Sequence, residues 1–209
     1  MYRPELAECR KQLEQLVQDM LIQTGEGPIP LVDSEYNLLF LDLETSGLNP
    51  REHGITEAGW WSLDLHEIEG CKVHFNRHAA TPTALELNGY DEEIWSLEAI
   101  DPGELAWKLS DVLHHSIIVG SNPHFDLSFL EELYHIYAMT VEKPKWYYKP
   151  ICIGSMSFGI TGDLMGQPQI MRSLDLEPCG QKHRAQDDVL NLIRAFVGLL
   201  QARIPSAQF

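Results

Sequence analysis

The feature that most constrains this chain is an apolar segment of strand length that ends in two carboxylates. Residues 37–48 read NLLFLDLETSGL, so Asp42 and Glu44 stand two residues apart, just before a glycine turn. Side chains at positions i and i+2 of a strand lie on the same face. Two carboxylates about 4 Å apart repel by roughly 4 kcal/mol at an effective dielectric constant near 20. The pair therefore fits either a hard-metal site with oxygen ligands or a strand end that frays into solvent.

Composition restricts the class of protein further. The chain has 209 residues, of which 44% are hydrophobic, and this predicts one globular domain with a sizeable core. Its four cysteines are far apart and form no CxxC pair, which disfavours a disulfide framework and favours a reducing compartment. Neither a signal-like start nor a long apolar run is visible, so we expect a cytoplasmic protein without membrane contact.

The charge is strongly negative but unevenly distributed. A net charge of −16 argues against a protein that coats long nucleic acid through its phosphates. Residues 141–209, however, hold eight lysines and arginines against six carboxylates, a balance of +2, whereas residues 1–140 carry −18. Within this part, residues 141–150 (VEKPKWYYKP) alternate lysines with aromatic rings. Such a segment suits single-stranded nucleic acid, but it equally suits an ordinary loop at a sheet edge.

The start of the chain predicts an amphipathic helix over residues 3–22. Its apolar positions recur at helical spacing: Leu6, Leu13, Leu16, Val17, Met20 and Leu21. The sequence GEGPIP at residues 25–30 then breaks the helix, so we divide the chain into an N-terminal helix and linker, 1–33, and a main domain, 34–209. The apolar face either packs on the main domain, which we favour, or contacts a second copy or another protein such as a polymerase.

The main domain reads as an alternation of strands and helices after an initial meander. The predicted strands after the first are 54–65, 70–76 and 116–122, and the predicted helices are 101–114, 122–137 and 184–203. Asp101 and Asn122 stand at N-cap positions, and each is followed by a proline. This order predicts an α/β domain with a mixed sheet.

Helical periodicity selects two further carboxylates. Asp126 lies at the centre of the apolar face of helix 122–137, where an unpaired charge would be costly, so we interpret it as a ligand. In the last helix, Asp188 lies at the edge of the apolar arc beside Leu192, whereas Asp187 lies on the opposite side. Asp188 is therefore predicted to point inward and Asp187 to be solvated.

Taken together, three segments resemble the motifs of the DEDDh subgroup of DnaQ-like 3′–5′ exonucleases, which include proofreading subunits and RNase T. They are DLETSGL with Asp42 and Glu44, NPHFDLSFL with Asp126, and HRAQDD with His183 and Asp188. The resemblance covers residues 36–200. It implies an RNase H-like fold, in which a five-stranded mixed sheet has the first strand at its centre and helices on both sides, with the N-terminal helix as an addition.

The resemblance also implies a chemistry. The four carboxylates would hold two Mg²⁺ ions, with Mn²⁺ as a substitute, Asp42 bridging both ions, Glu44 and Asp188 completing one site and Asp126 the other. His183 would be the general base. The implied activity is hydrolysis of phosphodiester bonds from the 3′ end of single-stranded DNA or RNA, with release of nucleoside monophosphates. The alternative is a non-catalytic nucleic-acid-binding or polymerase-accessory module on the same fold.

Substrate contacts follow from the same resemblance. The segment after the first acidic pair and the turn LNGY contact substrate in such enzymes, which gives the candidates Thr45, Ser46, Leu48, Asn88 and Tyr90. Phe125 is a candidate for base stacking. The apolar run ICIGSM after Tyr148 reads as a strand and lacks the acidic residue that many relatives have there. Nothing in the sequence chooses between DNA and RNA.

Overall fold

A five-stranded sheet surrounds the segment that carries Asp42 and Glu44. The computed structural model describes residues 3–24, 36–181 and 183–203, with backbone alone for 17–24 and 203. The strands are β1 Asn37–Thr45, β2 Ile55–Ser62, β3 Glu69–Lys72, β4 Ser116–Gly120 and β5 Ile151–Cys152. Their order is β3-β2-β1-β4-β5, with β1 and β3 antiparallel to β2, and β4 parallel to both β1 and β5. The predicted mixed sheet with the first strand at its centre is confirmed.

Helices cover both faces of this sheet, as expected for the fold. They are α1 Pro4–Thr24, α2 Pro82–Leu87, α3 Glu92–Glu98, α4 Pro102–Leu113, α5 Pro123–Ile136, α6 Ile153–Thr161, α7 Gln167–Ser173 and α8 Ala185–Arg203. One core joins β1 to α8, α1, α6 and α7, and the other joins it to α4 and α5. Among the described helices, none has both the length and the apolar content that crossing a bilayer requires.

The alternation of β1 decides which face its carboxylates occupy. Leu38 and Phe40 are buried in the core that contains α8, whereas Leu39 and Leu41 are buried in the core of α4 and α5. Since Asp42 continues the series of Leu38 and Phe40, it lies on the α8 face. The acidic end of β1 is therefore directed towards the start of α8.

The N-terminal helix packs on the body of the protein. Leu6, Cys9, Leu13 and Leu16 of α1 are buried in the same core as α8. This packing accounts for the described part of the apolar stripe. The side chains of residues 17–24, the breaker at 25–30 and the proposed division at 33/34 lie outside the described residues.

The strand predicted for ICIGSM is wrong beyond Cys152. Only Ile151 and Cys152 pair with β4, and the chain then enters α6 at Ile153. Ile153, Gly154 and Ser157 are buried on one face of this helix. A short apolar run cannot distinguish a buried strand from a buried helix, which explains the error. Of the two predicted caps, the Asp101 carboxylate accepts from Gly103 N at 2.7 Å, whereas the Asn122 side chain makes no capping bond.

Candidate active site

The acidic end of β1 extends past its parallel neighbour. β4 pairs with β1 only from Asn37 to Phe40, whereas β2 accompanies β1 as far as Thr45. The register shifts between Glu44 and Thr45, an irregularity that re-aims side chains at the ends of strands. Asp42 and Glu44 thus stand where one side of β1 is open to the helices.

Helix α5 fills the side of β1 that β4 leaves open. Asp126, in its first turn, is buried, and its Oδ1 accepts a hydrogen bond of 3.0 Å from the backbone N–H of Leu43. Burial raises the pKa of Asp126 to about 7, although backbone hydrogen bonds from Leu43 and from its own N–H oppose the shift. The third carboxylate is therefore fixed directly to the strand that carries the first two.

Helix α8 brings the remaining candidates to the same place. Gly59 of β2 is paired with Asp42, and a Cβ atom at Gly59 would lie 2.5 Å from the carbonyl carbon of Ala185. A glycine here lets the first turn of α8 lie against the sheet. As a result, ligand atoms of Glu44, His183 and Asp188 all lie within 4.8 Å of one another. His183 Nδ1 is 3.5 Å from Glu44 Oε1.

The electrostatics of this cluster favour a bound cation. Burial, followed by the charges of Asp126 and Asp188, raises the pKa of Asp42 well above its usual range. Burial, followed by the charges of Asp188 and Glu57, raises the pKa of Glu44 to about 8. The carboxylates thus take up protons readily because burial, and for Asp42 and Glu44 also mutual repulsion, disfavours their charged forms. Their oxygens are the donors that hard divalent cations prefer, so the residues fit Mg²⁺ or Mn²⁺.

A second layer of residues holds the start of α8. Arg184 Nη1 lies 3.1 Å from Glu57 Oε2, and its guanidinium lies 5.4 Å from the ring centroid of the buried Trp95. The carbonyl of Arg184 accepts hydrogen bonds from the backbone N–H groups of Asp187 and Asp188, which begin the helix. Arg184 therefore connects the candidate base and the last carboxylate to the sheet.

Sequence reasoning missed Glu57 and Arg184. One signal was available, because Glu57 is a charged residue within the buried strand ITEAGWWS. It is paired with Glu44 in the sheet, so its negative charge adds to the site unless a cation accompanies it. The Arg184 guanidinium is this cation, since its Nη1 atom lies beside the Glu57 carboxylate.

The prediction that Asp187 is solvated is wrong. Its Oδ1 lies 2.7 Å from Arg3 Nη1, and its Oδ2 accepts a hydrogen bond of 2.8 Å from the backbone N–H of Gln181. The helix phase alone does not reveal this, because α1 and the segment before α8 both pass over the outer side of the first turn. Asp187 is thus half-buried on the side of α8 away from Glu44.

The predicted substrate contacts fall into two groups. Leu48 is 83% exposed beside the acidic end of β1. Thr45, Ser46 and Asn88 are buried: Gly54 N donates to Ser46 Oγ at 2.9 Å, and Asn88 Nδ2 donates to the carbonyl of Thr45 at 3.0 Å. Asn88 therefore ties the turn at residues 87–90 to the end of β1, and the substrate roles of Thr45, Ser46, Leu48 and Asn88 stay predictions.

The two aromatic candidates are half-buried. Tyr90 lies between the rings of Phe75 and Trp95, with centroid distances of 5.3 and 5.2 Å. Phe125 lies 5.0 Å from the ring of Phe129, which is buried as expected for a core residue. The substrate roles of Tyr90 and Phe125 stay predictions.

Comparison with known proteins agrees with this geometry. The family model described as RNase T, exonuclease, matches residues 39–196, from β1 to α8. The chain belongs to the RNase T exonuclease family. The DEDDh motifs inferred from the sequence lie within this matched region, so the family resemblance is confirmed.

Solved structures show the same fold at low sequence identity. A 3′-exonuclease that recognises the 3′ end of the histone mRNA stem-loop has a TM-score of 0.66 and 15% identity, over 91% of this chain and 72% of that one. E. coli exonuclease I bound to a dA16 oligonucleotide has a TM-score of 0.64 and 14% identity, over 80% of this chain and 41% of that one. The zinc-bound form of the E. coli exonuclease I complex with single-stranded DNA has a TM-score of 0.62 and 15% identity, over 81% of this chain and 41% of that one.

This RNase T family chain spans about two fifths of the exonuclease I chains it matches. No curated protein matches it in sequence. The similarity to solved structures therefore concerns the fold of the exonuclease domain.

Proposed function

We propose that this chain is a metal-dependent 3′–5′ exonuclease that releases nucleoside monophosphates from the 3′ end of single-stranded DNA or RNA. One observation carries the proposal. In a chain of the RNase T family, carboxylates from β1, α5 and α8 and the imidazole before α8 lie together, and burial and mutual repulsion raise the pKa values of Asp42 and Glu44.

The four carboxylates are proposed as ligands of two Mg²⁺ ions, with Mn²⁺ as a substitute. The charges of Asp126, Asp188 and Glu44 all act on the Asp42 carboxylate, so Asp42 would help to hold both ions, Glu44 and Asp188 one of them and Asp126 the other. When bound, two such ions would stabilise the attacking and the leaving oxygen of the phosphoryl transfer. The zinc-bound exonuclease I structure supports a divalent site in this fold.

The chain's own residues would then deprotonate the attacking water and orient the terminal nucleotide. His183 is proposed to take the proton of the attacking water, a role that suits an imidazole near neutral pH. Its proximity to Glu44 places it at the edge of the carboxylate cluster. Leu48, exposed at the same edge, is proposed to pack against the terminal nucleotide. The oligonucleotides bound by exonuclease I support a single-stranded substrate.

A matched pair of oligonucleotides tests the proposal. RNA and DNA of one sequence, labelled at the 5′ end and carrying a single-stranded 3′ tail, are incubated with the chain in Mg²⁺ or in EDTA. We expect a ladder of 5′-labelled products shortened one nucleotide at a time in Mg²⁺ and none in EDTA. The relative rates on the two substrates identify the preferred nucleic acid. If neither substrate releases nucleotides in Mg²⁺, the chain is a binding module instead.

A further inference from the structure

A row of aromatic rings lies far from the candidate active site. Tyr147 contacts Tyr36 and Tyr148, with ring centroids 5.1 and 5.0 Å apart. Tyr36 in turn stacks on His115 at 5.6 Å with an interplanar angle of 27°. We call this row, together with Lys145 and Lys149, the aromatic-lysine surface.

Much of the aromatic-lysine surface is open to solvent. Tyr148 is 72% exposed, and His115, Lys145 and Lys149 are exposed as well. The ammonium of Lys149 lies 5.2 Å from the centroid of the Tyr148 ring. The surface thus offers flat faces and positive charges side by side, which is the combination that single-stranded nucleic acid uses for stacking and phosphate contact.

Acidic groups border this surface on one side. Asp111 and Glu142 line a depression next to Lys145, and Glu131 forms an ion pair with Lys143. Tyr148 and Lys149 continue the chain away from these carboxylates towards β5. The accessible end of the surface is therefore its Tyr148–Lys149 end, in the part of the sequence where positive charge slightly exceeds negative charge.

The position of the aromatic-lysine surface relative to the candidate active site sets the length of single strand that is needed to reach both. Backbone hydrogen bonds from His115 N to Lys145 O and from Tyr147 N to Ser116 O fix the segment at the beginning of β4. The candidate active site lies at the opposite end of the sheet, beyond the end of β4. Five strand residues span about 17 Å, a distance that about five stacked nucleotides cover at roughly 3.4 Å each.

We propose that the aromatic-lysine surface binds the 5′ part of the single strand whose 3′ end occupies the candidate active site. Bases would stack on Tyr148, and the neighbouring lysines would meet phosphates. Residues 1–140 carry a net charge of −18 and residues 141–209 a charge of +2, which favours the segment of the aromatic-lysine surface for contact with a polyanion. This inference rests on the proposed function, and it makes the affinity for substrate dependent on substrate length.

Direct binding tests the surface without turnover. The wild-type chain and the double variant Tyr148→Ala/Lys149→Ala are titrated in EDTA against a fluorescent single strand of about 20 nucleotides. We expect the double variant to bind at least about fivefold more weakly, since one lost base stack alone accounts for that factor. Tyr148→Phe, which keeps the ring, and Trp107→Ala, which removes an exposed ring on α4, serve as controls expected to bind like wild type. Affinity within about twofold of wild type for the double variant would overturn the inference.

Kinetics on short and long substrates provide the second test. With Mg²⁺, the double variant should have a raised KM for the long strand and an unchanged kcat/KM for a strand of about three nucleotides, which is too short to reach the surface. Equal losses on both lengths, or no loss on either, would contradict the inference. If the wild-type chain releases no nucleotides, the proposed function fails, while the binding test in EDTA still decides the role of the surface.

Discussion

The two halves of the candidate active site are held in different ways. Asp42, Glu44 and Asp126 are positioned by backbone, since the first two lie on the central strand and the third is hydrogen-bonded to the N–H of Leu43. His183 and Asp188 are positioned through a side chain, because Arg184 joins the start of α8 to Glu57 and Trp95.

This difference indicates which half of the site is more sensitive to substitution. A hydrogen-bonded central strand keeps its geometry when a single side chain changes. The start of α8 packs on β2 at Gly59 and is held in addition by the polar contact of Arg184 with Glu57, which one substitution can remove. His183 also has a φ of +58°, an unusual conformation for a residue other than glycine, which surrounding contacts must maintain. We therefore expect distant substitutions to affect the helix half more than the strand half.

The largest expected effect separates two adjacent residues of the helix half. Asp188→Asn should lower kcat on the order of a thousandfold or more, because it removes a proposed metal ligand. Asp187→Asn should leave kcat within about threefold of wild type and lower Tm by about 2–4 °C, since a neutral amide pairs less well with Arg3. Nucleotide release in Mg²⁺ and thermal unfolding measure the two effects. Equal loss of activity from both variants would show that the assignment of inward and outward faces is wrong.

An intermediate effect tests the side-chain anchor. Arg184→Ala should lower kcat by about 10- to 100-fold, the usual result of losing a residue that orients metal ligands. Lys72→Ala is the matched control, because Lys72 also lies over the Trp95 ring, at 5.3 Å, but pairs with Glu98. Steady-state rates are compared at saturating Mg²⁺, with Tm recorded for both variants. A similar fall in kcat for the two variants would mean that Arg184 acts only through general packing on Trp95.

The smallest expected effect concerns the charge of the cluster itself. In the metal-free protein, the pKa of Glu44 is raised to about 8 and that of Asp126 to about 7, whereas both are near 4 in the unfolded chain. Between about pH 4 and pH 8, the folded state therefore binds more protons than the unfolded state. Its free energy of unfolding is greatest below about pH 4 as far as these groups are concerned and falls as the pH rises to about 8.

Thermal unfolding checks this dependence. We expect Tm in EDTA to decrease by several degrees between pH 5 and pH 8, and Mg²⁺ to raise Tm more at pH 8 than at pH 5. The variant Glu44→Gln should show a flatter pH profile and a smaller gain from Mg²⁺. A stabilisation by Mg²⁺ that is equal at both pH values would argue against ionised carboxylates as its ligands.

Local spacing along the chain predicts some of these features, whereas others depend on contacts between distant segments. The period of two along β1 places Asp42 and Glu44 on one face. The helical period places Asp126 on the apolar face of its helix and selects Asp188 over its neighbour Asp187. Local spacing is therefore sufficient to predict on which face each of these four carboxylates lies. The short β5, by contrast, was predicted as a longer strand because an apolar run such as ICIGSM has no period that excludes a helix. The ion pair of Asp187 with Arg3 was missed since no local pattern relates α1 to α8.

The sequence by itself determined the central strand, the faces of its helices and the family to which its motifs belong, because each depends on residues close together along the chain. Only the tertiary structure decided that Arg184 meets Glu57, 127 positions away, and that α5 occupies the side of β1 that β4 leaves open. Such contacts depend on the path of the whole chain. Their residues carry no periodicity that could reveal them in advance.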